Sequence, residues 1–327
     1  MHRRELIKGL GGAALAGLPG AAASAAPTAT QDELYDSHAH LFTDDFERYP
    51  ADMRNARESE EALRRRVIAD PLTPERILQL WDANGVVGGA AVQYNTVYKT
   101  YNRFILDSSD RFPARIAPVV ILGAADPATP ATLEELIVQR GITGLRLTGY
   151  RDADGSYPWL ESPAALETWK VADRHRLPMV LMYAPAATFA AALPRIGALA
   201  ARFPSTPIVL DHVGWPTGDA AILGVTPALT DLRERRNIYY KLTTINFRAF
   251  AAAGIDSTRF VRRVADIFGA DRLMWGSDVG NTAETYPEMA RLARASAALL
   301  NPAERRQYLS GTARALFERR AAGRDAR

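Results

Sequence analysis

Along this chain, short runs of β-branched and apolar residues alternate with longer stretches in which apolar positions recur every three or four residues, the two periods of strands and helices. Leu34-Tyr35-Asp36-Ser37-His38 is the first short run. Seven more follow: Val86–Gln93, Ile116–Leu122, Thr143–Leu147, Pro178–Tyr183, Pro207–His212, Ile238–Leu242 and Leu273–Asp278. Between them the pattern predicts helices over Pro74–Ala83, Thr100–Arg111, Pro130–Arg140, Pro163–His175, Thr188–Arg202, Pro227–Glu234 and Ser257–Phe268, with closing helices at Tyr286–Leu300 and Pro302–Arg319. The short runs show little polar alternation, as expected of strands covered on both faces. Eight such pairs predict an α/β fold, a single-domain (β/α)8 TIM barrel. An open doubly wound sheet is the alternative, and no glycine-rich dinucleotide fingerprint supports it.

In such barrels chemistry sits at the C-terminal ends of the strands, and polar residues gather there. The first strand ends in His38 and His40, the second in Gln93 and the fourth in Arg146. The fifth ends in Tyr183, the sixth in Asp211-His212, the seventh in Lys241 and the eighth in Asp278. Each closes an apolar run that would otherwise be plain core. His38 and His40 are two apart on an extended segment, so they leave the backbone on the same side. Paired imidazoles there can clamp a metal or gather an anionic substrate. The long connection after the first strand, residues 43–70, carries the charged helical run Arg54–Arg66 and is expected to be a lid-like insertion on the same face. Arg64, Arg65 and Arg66 can meet an anion there, although charge runs usually face water.

Residues ahead of the first strand read as an address. His2-Arg3-Arg4-Glu5-Leu6-Ile7-Lys8 precedes a Gly/Ala-rich apolar run and then Ala23-Ser24-Ala25, which fits a small-residue cleavage site. Residues 1–26 are therefore expected to be a twin-arginine export signal, with 27–327 the barrel released to the periplasm. The apolar run is short and glycine-rich for a span of about 20 residues, so no membrane association of the mature form is expected. The full chain has 40 Lys+Arg against 37 Asp+Glu, a net charge of +3, and Arg3, Arg4 and Lys8 against Glu5 supply most of it. With no basic patch interleaved with aromatics, nucleic acid is not an expected partner; a small molecule is. The chain has no cysteine, which excludes disulfides, thiolate nucleophiles and cysteine zinc sites.

Asp36-Ser37-His38-Ala39-His40, Leu210-Asp211-His212-Val213-Gly214, Leu273-Met274-Trp275-Gly276-Ser277-Asp278 and the closing Leu309–Phe317 segment together resemble the amidohydrolase superfamily. The resemblance is to the amidohydrolase-2 branch that holds lactonases and aromatic-acid decarboxylases, and it spans the mature chain in the order a barrel requires. It implies a divalent metal, zinc foremost, held by His38, His40 and Asp278. The histidine such members carry at the end of strand five is missing here, where Pro178–Tyr183 ends in tyrosine, so a pocket working without metal is the other expectation. His175, in the preceding helix, is expected to be structural. Asp278 is the expected general base for water attacking a lactone or ester carbonyl, with His38, His40 and His212 stabilising the developing oxyanion. Arg146 and Lys241 suit a substrate carboxylate, and Tyr183 and Gln93 add donors. The expected function is opening of a small, carboxylated lactone or cyclic ester. The alternatives are a metal-dependent decarboxylase of an aromatic or unsaturated acid and a binding protein on the same scaffold.

Overall fold

The computed structural model describes residues 32–318 apart from 57, 184–188, 217, 220 and 221; the expected export segment, 1–26, lies outside the described residues. Eight strands, β1 (Leu34–Ala39), β2 (Val86–Val92), β3 (Ile116–Ile121), β4 (Gly144–Gly149), β5 (Met179–Tyr183), β6 (Ile208–Leu210), β7 (Ile238–Thr243) and β8 (Leu273–Gly276), lie side by side in chain order. All seven ladders are parallel, as between Leu147 and Leu181 or Lys241 and Met274. A parallel sheet requires a crossover for each pair, and the helices between strands provide it. Helices Pro74–Ala83, Pro163–His175 and Ser257–Phe268 occupy their expected ranges, each opened by a capping Thr73, Ser162 or Asp256. Among the described residues no helix is long and apolar enough to cross a membrane.

Several helical segments depart from the sequence pattern: the closing Pro302–Arg319 divides into Pro302–Arg306, a π-turn and Thr312–Phe317, and Tyr286–Leu300 ends at Ser296. The charged run begins at Glu60 rather than Arg54, because Asn55 takes a left-handed φ of 59° and Ser59 caps the amide of Ala62. Pro227–Glu234 divides into one α-turn and a 3-10 turn. A further helix, Thr244–Ala252, follows β7 directly, its start fixed by Asn246 Oδ1 accepting the Thr243 amide at 3.0 Å.

The barrel is nearly closed, and the seam between β8 and β1 is fastened mostly by side chains. A single parallel bridge joins Ala39 to Val279, and the Asp278 amide donates to the His38 carbonyl at 2.7 Å. Asp36 supplies the rest. Its Oδ1 accepts the amides of Ser277 (2.8 Å) and His38 (3.0 Å), and its Oδ2 accepts the hydroxyls of Ser277 (2.6 Å) and Tyr286 (2.8 Å). Ser37 Oγ returns a bond to the Trp275 carbonyl at 2.7 Å. Gly276 has no room for a Cβ, which would sit 2.6 Å from that of His38. The opposite end of the barrel is plugged by the last helix: Phe317 and Ala313 pack among Tyr35, Ala117, Val119, Val180, Val209 and Met274.

Asp36 thus carries four hydrogen bonds in a fully buried position. Asp36→Ala removes the acceptor of the Tyr286 hydroxyl and of the Ser277 and His38 amides, and is expected to cost about 3 kcal/mol or more. Denaturant titration of the variant checks this; a loss below about 0.5 kcal/mol contradicts the seam assignment.

Candidate active site

Strand alternation and two left-handed turns bring the polar strand ends together. On β1, His38 and the following His40 point inward, and their Nε2 atoms lie 3.2 Å apart. Asp278 stands just past β8 with φ of 58°, a conformation non-glycine residues avoid. Its amide bond to His38 holds it there, and Oδ1 lies 3.3 Å from His40 Nε2 and 3.6 Å from His38 Nε2. His212 and Val213 follow β6, also at positive φ (55° and 53°), and the Asn246 amide pins the His212 carbonyl at 2.9 Å. Backbone strain of this kind persists where surrounding bonds over-determine it, and it concentrates at functional sites. His212 Nδ1 is bonded to Thr243 Oγ1 at 2.7 Å, leaving Nε2 for the cavity. The His38 and His212 rings are 5.6 Å apart.

His38, His40 and Asp278 form a triangle of ligand atoms, all within 4.8 Å of one another and all buried. The Val92 carbonyl, 2.9 Å from His40 Nδ1, can only accept, so that nitrogen carries the proton and Nε2 presents a lone pair. His38 Nδ1 lies between Asp211 Oδ1 (3.4 Å) and the Lys241 ammonium (3.5 Å), and a proton placed on it toward Asp211 leaves Nε2 as a lone pair. Two lone pairs and a carboxylate oxygen then face each other. Asp278 Oδ2 is buried with no hydrogen-bond partner among the described residues. Ligand atoms about 2.0–2.1 Å from a tetrahedral zinc stand roughly 3.3 Å apart; the edges here are 3.2, 3.3 and 3.6 Å. The donor set fits a divalent cation with an open fourth position.

Asp211 is the hub beneath this triangle. It pairs with Lys241 Nζ (3.0 Å) and Arg146 Nε (2.9 Å) and faces His38. Burial acts upward on its carboxyl, but the Lys241 and Arg146 cations outweigh it and hold the group well below the usual carboxylate range. Asp278 follows the same balance: burial raises it, the His40 contact and the imidazoles of His38 and His212 lower it, and it stays ionised. Burial pushes His38 down to about 3, with the Asp211 charge opposing only in part. It also lowers His212 and Lys241.

Above the triangle lies a cavity of about 190 Å3, lined by His40, His212, Tyr94, Arg146, Lys99 and Asn281 among others. Arg146 reaches it with both terminal nitrogens unbonded among the described residues, Nε alone being engaged. Lys241, expected to meet a substrate carboxylate, has its ammonium fully buried against Asp211 and is not part of the cavity lining. Gln93 is likewise spent elsewhere, its amide nitrogen donating to the carbonyls of Tyr101 (2.7 Å) and Lys99 (3.3 Å), where it ties the loop after β2. The side chain of Tyr183 lies outside the described residues. From the fifth strand it is Met182 that reaches the cavity. His175 ends its helix at an ion pair with Glu134 (2.5 Å) in the outer layer. From the 43–70 connection, Asn55 and Ala56 join the cavity wall. Tyr94, stacked on His40 at 4.7 Å, and Thr243, the partner of His212, were not singled out by the sequence.

Unfolding releases His38 from about 3 to an ordinary value near 6.5. Between those limits the unfolded chain binds the extra proton, so stability is present above pH 6.5 and falls as pH drops toward 3, by up to about 1.4 kcal/mol per pH unit. Thermal melts of chelator-treated protein from pH 7.5 to 5 are expected to show this decline, with a shallower slope in His38→Asn. Equal slopes in the two proteins contradict the assignment.

Comparison with known proteins agrees with this architecture. The amidohydrolase family model matches residues 35–319. An L-fucono-1,5-lactonase of Burkholderia ambifaria is 31% identical over 183 residues, 54% of this chain and 59% of that protein, so the chain spans less than two thirds of this relative. Among solved structures, an amidohydrolase of Burkholderia multivorans with bound zinc superposes with a TM-score of 0.68 at 21% identity, over 87% of this chain and 98% of that one. A putative 2-pyrone-4,6-dicarboxylic acid hydrolase of Pseudomonas putida gives 0.66 at 24% identity (88% and 98%). A 2,6-dihydroxybenzoate decarboxylase from Rhizobium gives 0.64 at 17% (88% and 99%). These structures share the fold, and the family match covers nearly the whole barrel: the chain belongs to the amidohydrolase family.

Proposed function

We propose that this protein is a metal-assisted lactonase that opens a small, carboxylated lactone or cyclic ester. The observation that carries the reading is the convergence of two imidazole nitrogens and a carboxylate oxygen beside a cavity lined by Arg146, whose terminal nitrogens have no partner among the described residues. The match to an L-fucono-1,5-lactonase supports ring-ester opening in particular. His38, His40 and Asp278 would hold the metal, which when bound polarises a carbonyl and acidifies water.

The chain's own groups supply the remaining steps. The planar fork of Arg146 holds the substrate carboxylate bidentately. The ionised Asp278, whose Oδ2 has no other partner among the described residues, takes a proton from the attacking water. The water oxygen bonds to the ring carbonyl carbon, and the acyl C–O bond breaks. His212, its orientation set by Thr243, faces the carbonyl oxygen as charge develops there. The departing ring oxygen takes up the proton held by Asp278, and the product is a hydroxy acid that releases one proton to neutral solution.

Purified protein is expected to retain about one equivalent of zinc by elemental analysis. In a pH-indicator screen, acid release from lactones is expected, without proton uptake or carbon dioxide from aromatic or unsaturated acids. Asp278→Asn is expected to lower kcat at least about 100-fold. Arg146→Gln is expected to raise KM about tenfold for carboxylated substrates and by clearly less for uncharged ones. Carbon dioxide release would favour the decarboxylase, and tight ligand binding without turnover the binding protein. Full turnover by Asp278→Asn contradicts the mechanism.

A further inference from the structure

The three consecutive arginines of helix Glu60–Ala69 have different surroundings. Arg64 pairs with Glu60 at 3.3 Å and lies over the Phe46 ring, while Arg65 pairs with Glu61 on the outer face. Arg66 turns inward. Its Nη1 donates to the Gly280 carbonyl (3.1 Å) and its Nη2 to the Tyr94 hydroxyl (3.1 Å), with Glu58 steadying the guanidinium at 2.8 Å. The Tyr94 hydroxyl accepts from Arg66 and donates to the same Gly280 carbonyl at 3.0 Å, so every donor in this triangle has an acceptor.

Both arms of the triangle end on the candidate active site. The Tyr94 ring stacks on the His40 imidazole, centroids 4.7 Å apart and planes within 20°. The Val92 carbonyl fixes one edge of that imidazole, and the Tyr94 face restricts its remaining tilt. Gly280, at φ of 89°, lies two residues beyond Asp278, and a Cβ there would meet the Phe42 ring and His40. Asp278 sits in a conformation that needs external support, and its turn is anchored through the Gly280 carbonyl. A single guanidinium from helix Glu60–Ala69 therefore braces contributors to the site from β1 and from the turn after β8.

We propose that Arg66, acting through Tyr94 and Gly280, is a positioning residue that fixes the His40 ring and the Asp278 turn for metal binding. This rests on the reading of His38, His40 and Asp278 as the metal site. It assigns this helix a part in the site itself, as a brace anchored on two sides.

The test compares Arg66→Gln, Arg66→Lys and Tyr94→Phe with Arg65→Gln as a control on the same helix. Zinc affinity is read by competition with a chromogenic chelator. Arg66→Gln and Tyr94→Phe are expected to bind zinc about tenfold more weakly, as removal of outer-shell support does elsewhere, and Arg65→Gln to match wild type. Lysine is expected not to rescue, since one ammonium cannot replace the fork. On the lactone that the screen identifies, kcat is expected to fall about tenfold with KM held within about twofold. If Arg66→Gln does not fold, Tyr94→Phe, which keeps the ring, carries the comparison. Zinc affinity within about twofold of wild type in both Arg66→Gln and Tyr94→Phe overturns the proposal. Should wild-type protein take up no zinc, the functional reading falls, and imidazole NMR of the metal-free protein decides this one. Shifted or broadened His40 resonances in those variants, with His175 unmoved, support it; unchanged His40 resonances overturn it.

Discussion

The structure depends on one electrostatic constraint: two imidazole lone pairs and a carboxylate oxygen are held within 3.6 Å of one another in a buried pocket. Such an arrangement is repulsive unless a proton or a metal cation sits between the atoms, and their separations match the edges of a zinc tetrahedron. The fold imposes it. All three side chains belong to the seam where the barrel closes, and that seam is fastened by Asp36 and Ser277 rather than by a full ladder of backbone bonds. Closing the barrel and assembling the triangle are therefore one act.

Beneath the triangle, charge is balanced internally. Asp211 collects Lys241, Arg146 and His38 around one carboxylate, each from a different strand. A buried charge this well matched fixes geometry more than it adds stability. Asp211 Oδ1 lies 3.4 Å from His38 Nδ1, where outer-shell carboxylates at metal sites face the histidine nitrogen opposite the metal. The same carboxylate also engages Lys241 and leaves Arg146 half committed, its Nε on Asp211 and its side chain at the cavity.

Much of this was legible in the residue pattern. Strand and helix periodicity gave the barrel, and polar residues ending apolar strands marked the face where His38, His40, His212 and Asp278 converge. What stayed hidden were relationships between side chains distant in sequence. Nothing local distinguishes a Lys241 that meets substrate from one spent on Asp211, or a Gln93 that lines a cavity from one tying a loop. Arg64, Arg65 and Arg66 are identical in type and adjacent, and only the helix's orientation on the barrel selects the one that turns inward. Helix Thr244–Ala252 was masked by its β-branched start, Thr243-Thr244-Ile245, where the Asn246 cap overrides strand preference.

The central claim is that this triangle holds a divalent metal, and anomalous diffraction at the zinc edge from crystals of the purified protein tests it most directly. The account predicts one strong peak about 2.0–2.2 Å from His38 Nε2, His40 Nε2 and an Asp278 carboxylate oxygen. A zinc-supplemented crystal with no peak among those three atoms, or with its metal bound elsewhere, would contradict it.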